Sequence, residues 1–157
     1  MTEDEVISFV RGLAGAAAET ATAESGAPEV AWGDTFFFAD PQGDVPGDRR
    51  FPFATLVTKD YPGFDTESEL DRPGYFRLNI AVGRRTFEDL FGHSPADHAA
   101  HRSEYDFTAE DRLFPHPVYA VQGWASIVNP GPATDAQARD LLVQAREKAA
   151  RRQGTRG

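Results

Sequence analysis

The stretch that decides the fold is "YFRLNIAVG", residues 75–83, in which apolar and polar side chains alternate. The apolar positions are Phe76, Leu78, Ile80 and Val82. The intervening positions include Arg77 and Asn79, so the two types of side chain fall on opposite faces of an extended chain. This period of two predicts a β-sheet with one buried face, while Arg77 and Asn79 either form the polar floor of a site or face water.

Further strand patterns lie on both sides of this stretch. Residues 29–44, 53–58 and 123–131 each read as a strand, and residues 16–28 form a connector that holds a weak strand. The first of these ends in turn residues, Asp40-Pro41 and Gly43-Asp44, which predict a hairpin. Residues 93–117 are polar and contain three prolines, which predicts a long loop with one or two helical turns.

Helix signals flank the strands. Thr2 and Glu5 form a capping-box pattern, as do Thr134 and Gln137, and residues 84–92 predict a short helix that ends at a glycine. The order of elements predicts an α+β fold: an antiparallel sheet of about five strands with N-terminal and C-terminal helices, in a single two-layer domain. We place that domain at residues 1–150 and expect the basic tail, residues 151–157, to fray.

Composition excludes several classes of protein. The 157 residues contain no cysteine, so disulfides, thiolate metal sites and cysteine nucleophiles are excluded. The acidic N-terminus and the lack of a long apolar run predict a cytoplasmic protein without membrane contact. The net charge is −9, and residues 1–145 alone carry −13, which makes nucleic acid an improbable partner.

Polar residues at predicted strand ends are the candidate ligand-binding residues: Lys59, Tyr61, Arg77, Asn79 and His116. Lys59 and Tyr61 follow an apolar run in "PFATLVTKDYPG", residues 52–63, where Pro62-Gly63 predicts a turn that ends the strand. Lys59 and Arg77 would supply positive charge for an anionic ligand, provided that they converge. The alternative is an ordinary surface ion pair between Lys59 and Asp60.

Histidines supply the other candidates. His93, His98, His101 and His116 lie within 24 residues, yet their spacing matches no established zinc pattern. We therefore predict no metal, with His98 and His101 as the weak candidates. Prolines on both sides of His116 fix the backbone there, which suits either a structural hydrogen bond or a catalytic role.

The residues favour a binding module for a small molecule and predict no cofactor, because phosphate-binding and dinucleotide motifs are missing. The first alternative is an enzyme, a hydrolase or transferase with His116 as general base and Lys59 stabilising negative charge. The second is a protein-interaction domain that uses an exposed "TFFFA" edge, residues 35–39. The oligomeric state expected is a monomer or a homodimer. Trp32 and Trp124 are expected in the core.

Five blocks in sequence order carry a resemblance to a known family: "WGDTFFF", "PFATLVTKDYPG", "FRLNIAVGRRTF", "HPVYAVQGW" and "VNPG". Together they resemble an uncharacterised, mainly actinobacterial family, domain of unknown function 6194. The resemblance implies a small single-domain cytoplasmic protein and no assigned activity. The layout is also similar to YjbR/MmcQ-type α+β domains, which implies that fold and a suggested DNA-binding role.

Overall fold

The computed structural model describes residues 1–40, 43 and 51–155, which form an α+β fold around one sheet. The helices are α1 (Glu3–Arg11), α2 (Arg84–Phe91), α3 (His98–His101) and α4 (Asp135–Thr155). The strands are β1 (Ala16–Thr20), β2 (Thr35–Ala39), β3 (Ala54–Val57), β4 (Arg77–Ala81), β5 (Leu113–Pro115) and β6 (Trp124–Val128). In these ranges no helix is both long enough and apolar enough to cross a membrane.

The sheet has six strands in the order β1-β2-β3-β4-β6-β5, and every neighbouring pair is antiparallel. The fold class is confirmed, and the sixth strand is β5, inside the region predicted as a loop. β5 has only three residues, the last of them a proline, and so short a segment cannot show the alternation with period two that marks a strand. The hairpin pairing of β2 with β3 is confirmed, although Pro41 and Asp44 of its predicted turn lie outside the described residues.

The prediction of an exposed "TFFFA" edge is wrong. This segment is β2, which lies between β1 and β3. All five of its residues pair with β1, the alanine-rich strand whose sequence gives only a weak strand signal. An interaction domain built on a free β2 edge is therefore excluded.

Helices α1 and α4 cover one face of the sheet, and the main core lies between that face and the helices. Strand residues of this face include Phe37, Leu56, Leu78 and Ile80, all fully buried. They form one cluster with Val6 and Val10 of α1, Phe87 of α2, and Leu141 and Leu142 of α4. The predicted capping box of α1 is present: Glu5 N–H donates to Thr2 Oγ1 at 3.1 Å, and Thr2 N–H donates to Glu5 Oε1 at 3.2 Å.

The opposite face is covered by residues 58–76, 102–112 and 116–123, connecting segments that contain two short 3-10 helices, Arg102–Glu104 and Ala120–Gln122. A second buried cluster forms there, from Val57, Leu70, Phe107, Phe114 and Val128. Arg77 and Asn79 lie on this face with only 0% and 1% of their surface exposed, so they do not face water. The covering segments thus turn a polar strand face into a buried polar layer.

Candidate ligand cleft

A cavity of about 400 Å³ lies against this polar layer. Thr55 and Asn79, which are paired across β3 and β4, contribute to its floor. Its aromatic lining comes from Phe36, Phe51, Phe64, Tyr119 and Trp124. We call this cavity the aromatic chamber. Apolar walls with a few convergent polar groups are typical of small-molecule sites.

Arg77 supports the polar end of the chamber. Its Nη1 and Nη2 donate to the two carboxylate oxygens of Asp65 at 3.0 and 2.5 Å. Nη1 also donates to Ser68 Oγ at 3.0 Å, and Nε donates to Asn79 Oδ1 at 2.8 Å. This bidentate pairing fixes Asp65 in both distance and direction. Asp65 and Asn79 line the chamber, so Arg77 acts as a positioning residue whose charge is already compensated.

The amide of Asn79 is held by three hydrogen bonds. Its Oδ1 accepts from Ser126 Oγ at 2.7 Å as well as from Arg77, and its Nδ2 donates to Thr55 Oγ1 at 3.0 Å. These partners on three strands fix which end of the amide is oxygen. The floor is therefore preorganised by side chains of the sheet itself.

His116 lines the chamber as a neutral ring with a defined tautomer. Its Nδ1 accepts from the backbone N–H groups of Val118 and Tyr119 at 3.0 and 2.9 Å. Because a neutral imidazole carries one proton, that proton lies on Nε2. With the proton on Nε2, Arg77 Nη2, 3.3 Å away, is a second donor, so no hydrogen bond joins the two groups. Burial, and then the charge of Arg77, hold the pKa of His116 well below its usual range.

Lys59 belongs to a separate network around Asp34. The carboxylate of Asp34 is fully buried and accepts from Thr58 N–H and Thr58 Oγ1 at 2.8 and 2.9 Å. The Tyr61 hydroxyl donates to its other oxygen. Lys59 Nζ lies 3.8 Å from Asp34 Oδ1 and donates to the carbonyl of Trp32. Burial, and then the bond to Asp34, raise the pKa of the Tyr61 phenol, which keeps it neutral.

A tight turn brings these networks together. Tyr61 and Asp65 form an antiparallel bridge, and Gly63 between them has a φ of +75°, the left-handed value that a Pro-Gly turn requires. The turn predicted at Pro62-Gly63 is therefore confirmed. It places Tyr61 against Asp34 and Asp65 against Arg77, so one short segment contributes three residues of the chamber, Tyr61, Phe64 and Asp65.

Three of the five predicted site residues line the chamber: Tyr61, Asn79 and His116. Arg77 lies behind them, and Lys59 is directed to the Trp32 carbonyl, so the expected convergence of Lys59 with Arg77 is wrong. Asp60 does not pair with Lys59 either, because its carboxylate accepts from Leu70 N–H at 2.8 Å.

Sequence reasoning missed two important residues of the chamber. Asp65 gave no signal beyond its place just after the predicted turn, and its partner Arg77 is twelve residues away. Trp124 was expected in the core, yet it is only half-buried and lines the chamber. Trp32 is 40% exposed, so that expectation is wrong for both tryptophans.

The other histidines form a stack beside α2. The ring centroids of His93 and His101 are 4.2 Å apart and those of His93 and His98 are 5.8 Å apart. His101 Nδ1 lies 2.6 Å from Glu104 Oε2, so this ring nitrogen already has a partner three residues further along the chain. Across the ranges that the structure describes, no three histidine or acidic residues are arranged to hold a metal ion.

His98 is the exception in this stack, because it is 4% exposed and neither ring nitrogen has a hydrogen-bond partner among the described residues. We expect His98→Leu to raise the free energy of unfolding by about 1 kcal/mol at pH 7.5, since it removes unsatisfied buried polar atoms. Chemical denaturation measures this change. A loss of stability in the variant at that pH would contradict the assignment.

His98 also predicts a pH dependence. Burial, followed by the nearby His93, lowers the pKa of His98 below the usual value of about 6.5, so the folded state binds the proton more weakly than the unfolded state. Stability is therefore fully present above about pH 6.5 and falls as the pH decreases below it. In urea titrations from pH 7.5 to 5.5, His98→Leu should lose less stability than the parent protein. Parallel curves would contradict this prediction.

Comparison with known proteins identifies a family and no activity. Over residues 1–157 the chain matches the group described as "Family of unknown function (DUF6194)". No curated protein and no solved structure matches the chain, and its likeness to YjbR/MmcQ-type domains stays a prediction. Function must therefore be inferred from the geometry of the aromatic chamber. The chain belongs to the DUF6194 family of unknown function.

Proposed function

We propose that this protein binds a small, planar, polar molecule in the aromatic chamber. The observation that carries the proposal is the meeting of His116 and Asp65 at the polar end of one aromatic-walled cavity. Both side chains are held in place by other groups: His116 by two backbone N–H groups and Asp65 by Arg77. Preorganised polar groups lower the entropy lost when a ligand binds.

The chemistry of the two side chains defines the ligand. His116 Nε2–H is a hydrogen-bond donor and the Asp65 carboxylate is an acceptor. A molecule with an acceptor next to a donor, such as the edge of an amide-containing heterocycle, matches this pair. Its ring would lie among the side chains of Phe36, Tyr119 and Trp124, where stacking contributes beyond burial alone.

The hydrogen bonds of His116 and Lys59 favour binding over catalysis. A general base needs an unprotonated nitrogen in reach of its substrate, whereas Nδ1 of His116 is occupied by two backbone N–H groups. The depressed pKa of His116 keeps the ring neutral, and the two hydrogen bonds that Nδ1 accepts place the single proton on Nε2. Lys59 is bonded to Trp32, so it also gives the predicted hydrolase or transferase little support.

Trp124 provides a direct test, since the protein has only two tryptophans. In a Trp32→Phe background, Trp124 is the single tryptophan reporter, and it lies in the chamber wall. We expect saturable fluorescence changes with planar heterocycles that carry adjacent donor and acceptor groups. Phe64→Ala should weaken binding about 5-fold, which corresponds to about 1 kcal/mol of aromatic contact.

The matched control is Val30→Ala, which also truncates a partly exposed apolar side chain. Phe64 is 55% exposed and Val30 is 42% exposed, so neither substitution should unfold the protein. Phe64 lines the chamber in edge contact with Tyr119, with ring centroids 5.9 Å apart. Equal effects of the two variants, or no response of Trp124 to any heterocycle, would contradict the proposed function.

A further inference from the structure

A second cavity, of about 460 Å³, adjoins the aromatic chamber. The two cavities share four lining residues: Phe51, Pro52, Gln122 and Trp124. The second cavity extends past the end of β4 to α4, where Ala145, Lys148 and Arg152 line it. We call it the basic cavity. A ligand that reaches past Trp124 would contact both.

The charges on the two cavities differ. Lys148 and Arg152 both line the basic cavity, and none of its described lining residues is acidic. The aromatic chamber, in contrast, is lined by Asp65. The charge of Arg77, which lies behind the chamber wall, is compensated by that carboxylate. The two cavities therefore suit different parts of one molecule, an uncharged polar part and an anionic part.

Lys148 is anchored so that its charge stays at the basic cavity. Its Nζ donates to the carbonyl of Val82 at 2.6 Å and to Thr86 Oγ1 at 3.3 Å, and both are uncharged acceptors. Burial, and then the charges of Arg151 and Arg152, lower the pKa of Lys148. Lys148 therefore keeps its charge close to two arginines and bonds only to uncharged acceptors, which favours an anion at this position.

The negative charge of the rest of the chain favours anion binding at this location over other parts of the surface. Residues 1–145 carry a net charge of −13, which repels anions from most of the surface. The cations of α4 form a local exception at the rim of the cleft. A phosphate monoester, with a charge of about −1.5 to −2 at pH 7, matches the two basic lining residues better than a single carboxylate does.

We propose that the ligand is a planar heterocycle joined to a phosphate monoester, with its ring in the aromatic chamber and its phosphate in the basic cavity between Lys148 and Arg152. This inference rests on the proposed function, because it extends the same site. Lys148 supplies a point charge, and Arg152 supplies a planar fork that suits phosphate oxygens.

Matched pairs of probes test the inference in the Trp32→Phe background. The pairs are the four common ribonucleosides with their 5′-monophosphates, and pyridoxine with pyridoxine 5′-phosphate. We expect one pair at least to bind with a 10-fold or greater preference for the phosphorylated member, which corresponds to about 1.4 kcal/mol. The double variant Lys148→Gln/Arg152→Gln should abolish that preference and leave binding of the unphosphorylated member unchanged.

The control is Arg11→Gln/Arg112→Gln, which removes two exposed cations outside both cavities. It makes the same change in net charge, so it should retain the preference. Equal binding of both members, or equal losses in the two double variants, would overturn the phosphate assignment alone. If no member of any pair changes Trp124 fluorescence, the proposed function fails and the phosphate assignment fails with it.

Discussion

Asp65→Asn should lower the free energy of unfolding by about 3–5 kcal/mol, because it leaves the buried guanidinium of Arg77 without its counter-charge. Arg77 has no exposed surface, and both of its terminal nitrogens donate to the Asp65 carboxylate. The substitution hardly changes the volume of the side chain, so the loss of stability measures the lost charge and hydrogen bonding. Chemical denaturation followed by circular dichroism measures it.

Glu67→Gln is the matched control, since it makes the same chemical change two residues away. Glu67 pairs with Arg102, and the side chains of this pair are 42% and 38% exposed. Solvent screens such a pair, so its loss should cost about 0–1 kcal/mol. If the two variants have the same stability, Arg77 and Asp65 do not form the buried pair that supports the chamber.

Asp34→Ala is expected to cost about 3 kcal/mol, because it removes the acceptor of three hydrogen bonds in a part-buried network. The lost donors are Thr58 N–H, Thr58 Oγ–H and the Tyr61 hydroxyl. Tyr61 would lose the bond that fixes its ring in the chamber wall. Thermal and chemical denaturation measure the stability.

Lys59→Met separates the charge of Lys59 from the hydrogen bonds of Asp34. Lys59 is 28% exposed and lies 3.8 Å from the carboxylate, so its loss should cost only about 0–1 kcal/mol. A larger loss in Lys59→Met than in Asp34→Ala would show that the ion pair, rather than the Tyr61 and Thr58 hydrogen bonds, stabilises this segment.

Local patterns predicted most of the regular structure. The alternation in residues 75–83 gave both β4 and its two faces, since the side-chain period of a strand depends only on neighbouring positions. The capping box of α1 and the Pro62-Gly63 turn are also short-range features, with all of their hydrogen bonds formed within a few residues.

Features that depend on distant contacts could not be predicted. β5 is three residues long and exists because it pairs with β6, so its own sequence carries almost no strand signal. The same limit applies to Arg77, whose polar character fitted a water-facing strand equally well. The covering segments bury it, and segment 58–76 supplies its partner Asp65.

The chamber shows this limit most clearly. His116 and Asn79 were found from their local setting, but the lining residues Phe36, Phe64 and Trp124 come from three separate parts of the chain. Lys59 was selected for its charge, and the fold instead directs it to the Trp32 carbonyl. Polar residues near strand ends therefore indicated where a site lies, whereas tertiary contacts decided which of them line it.

The most direct test of ligand binding is a crystal structure of the protein grown with the tightest heterocycle from the Trp124 fluorescence titrations. We predict density for its ring between Tyr119 and Trp124, with polar atoms in hydrogen-bond range of His116 Nε2 and the Asp65 carboxylate. Density for the ligand at another location, with only water in the aromatic chamber, would contradict this account.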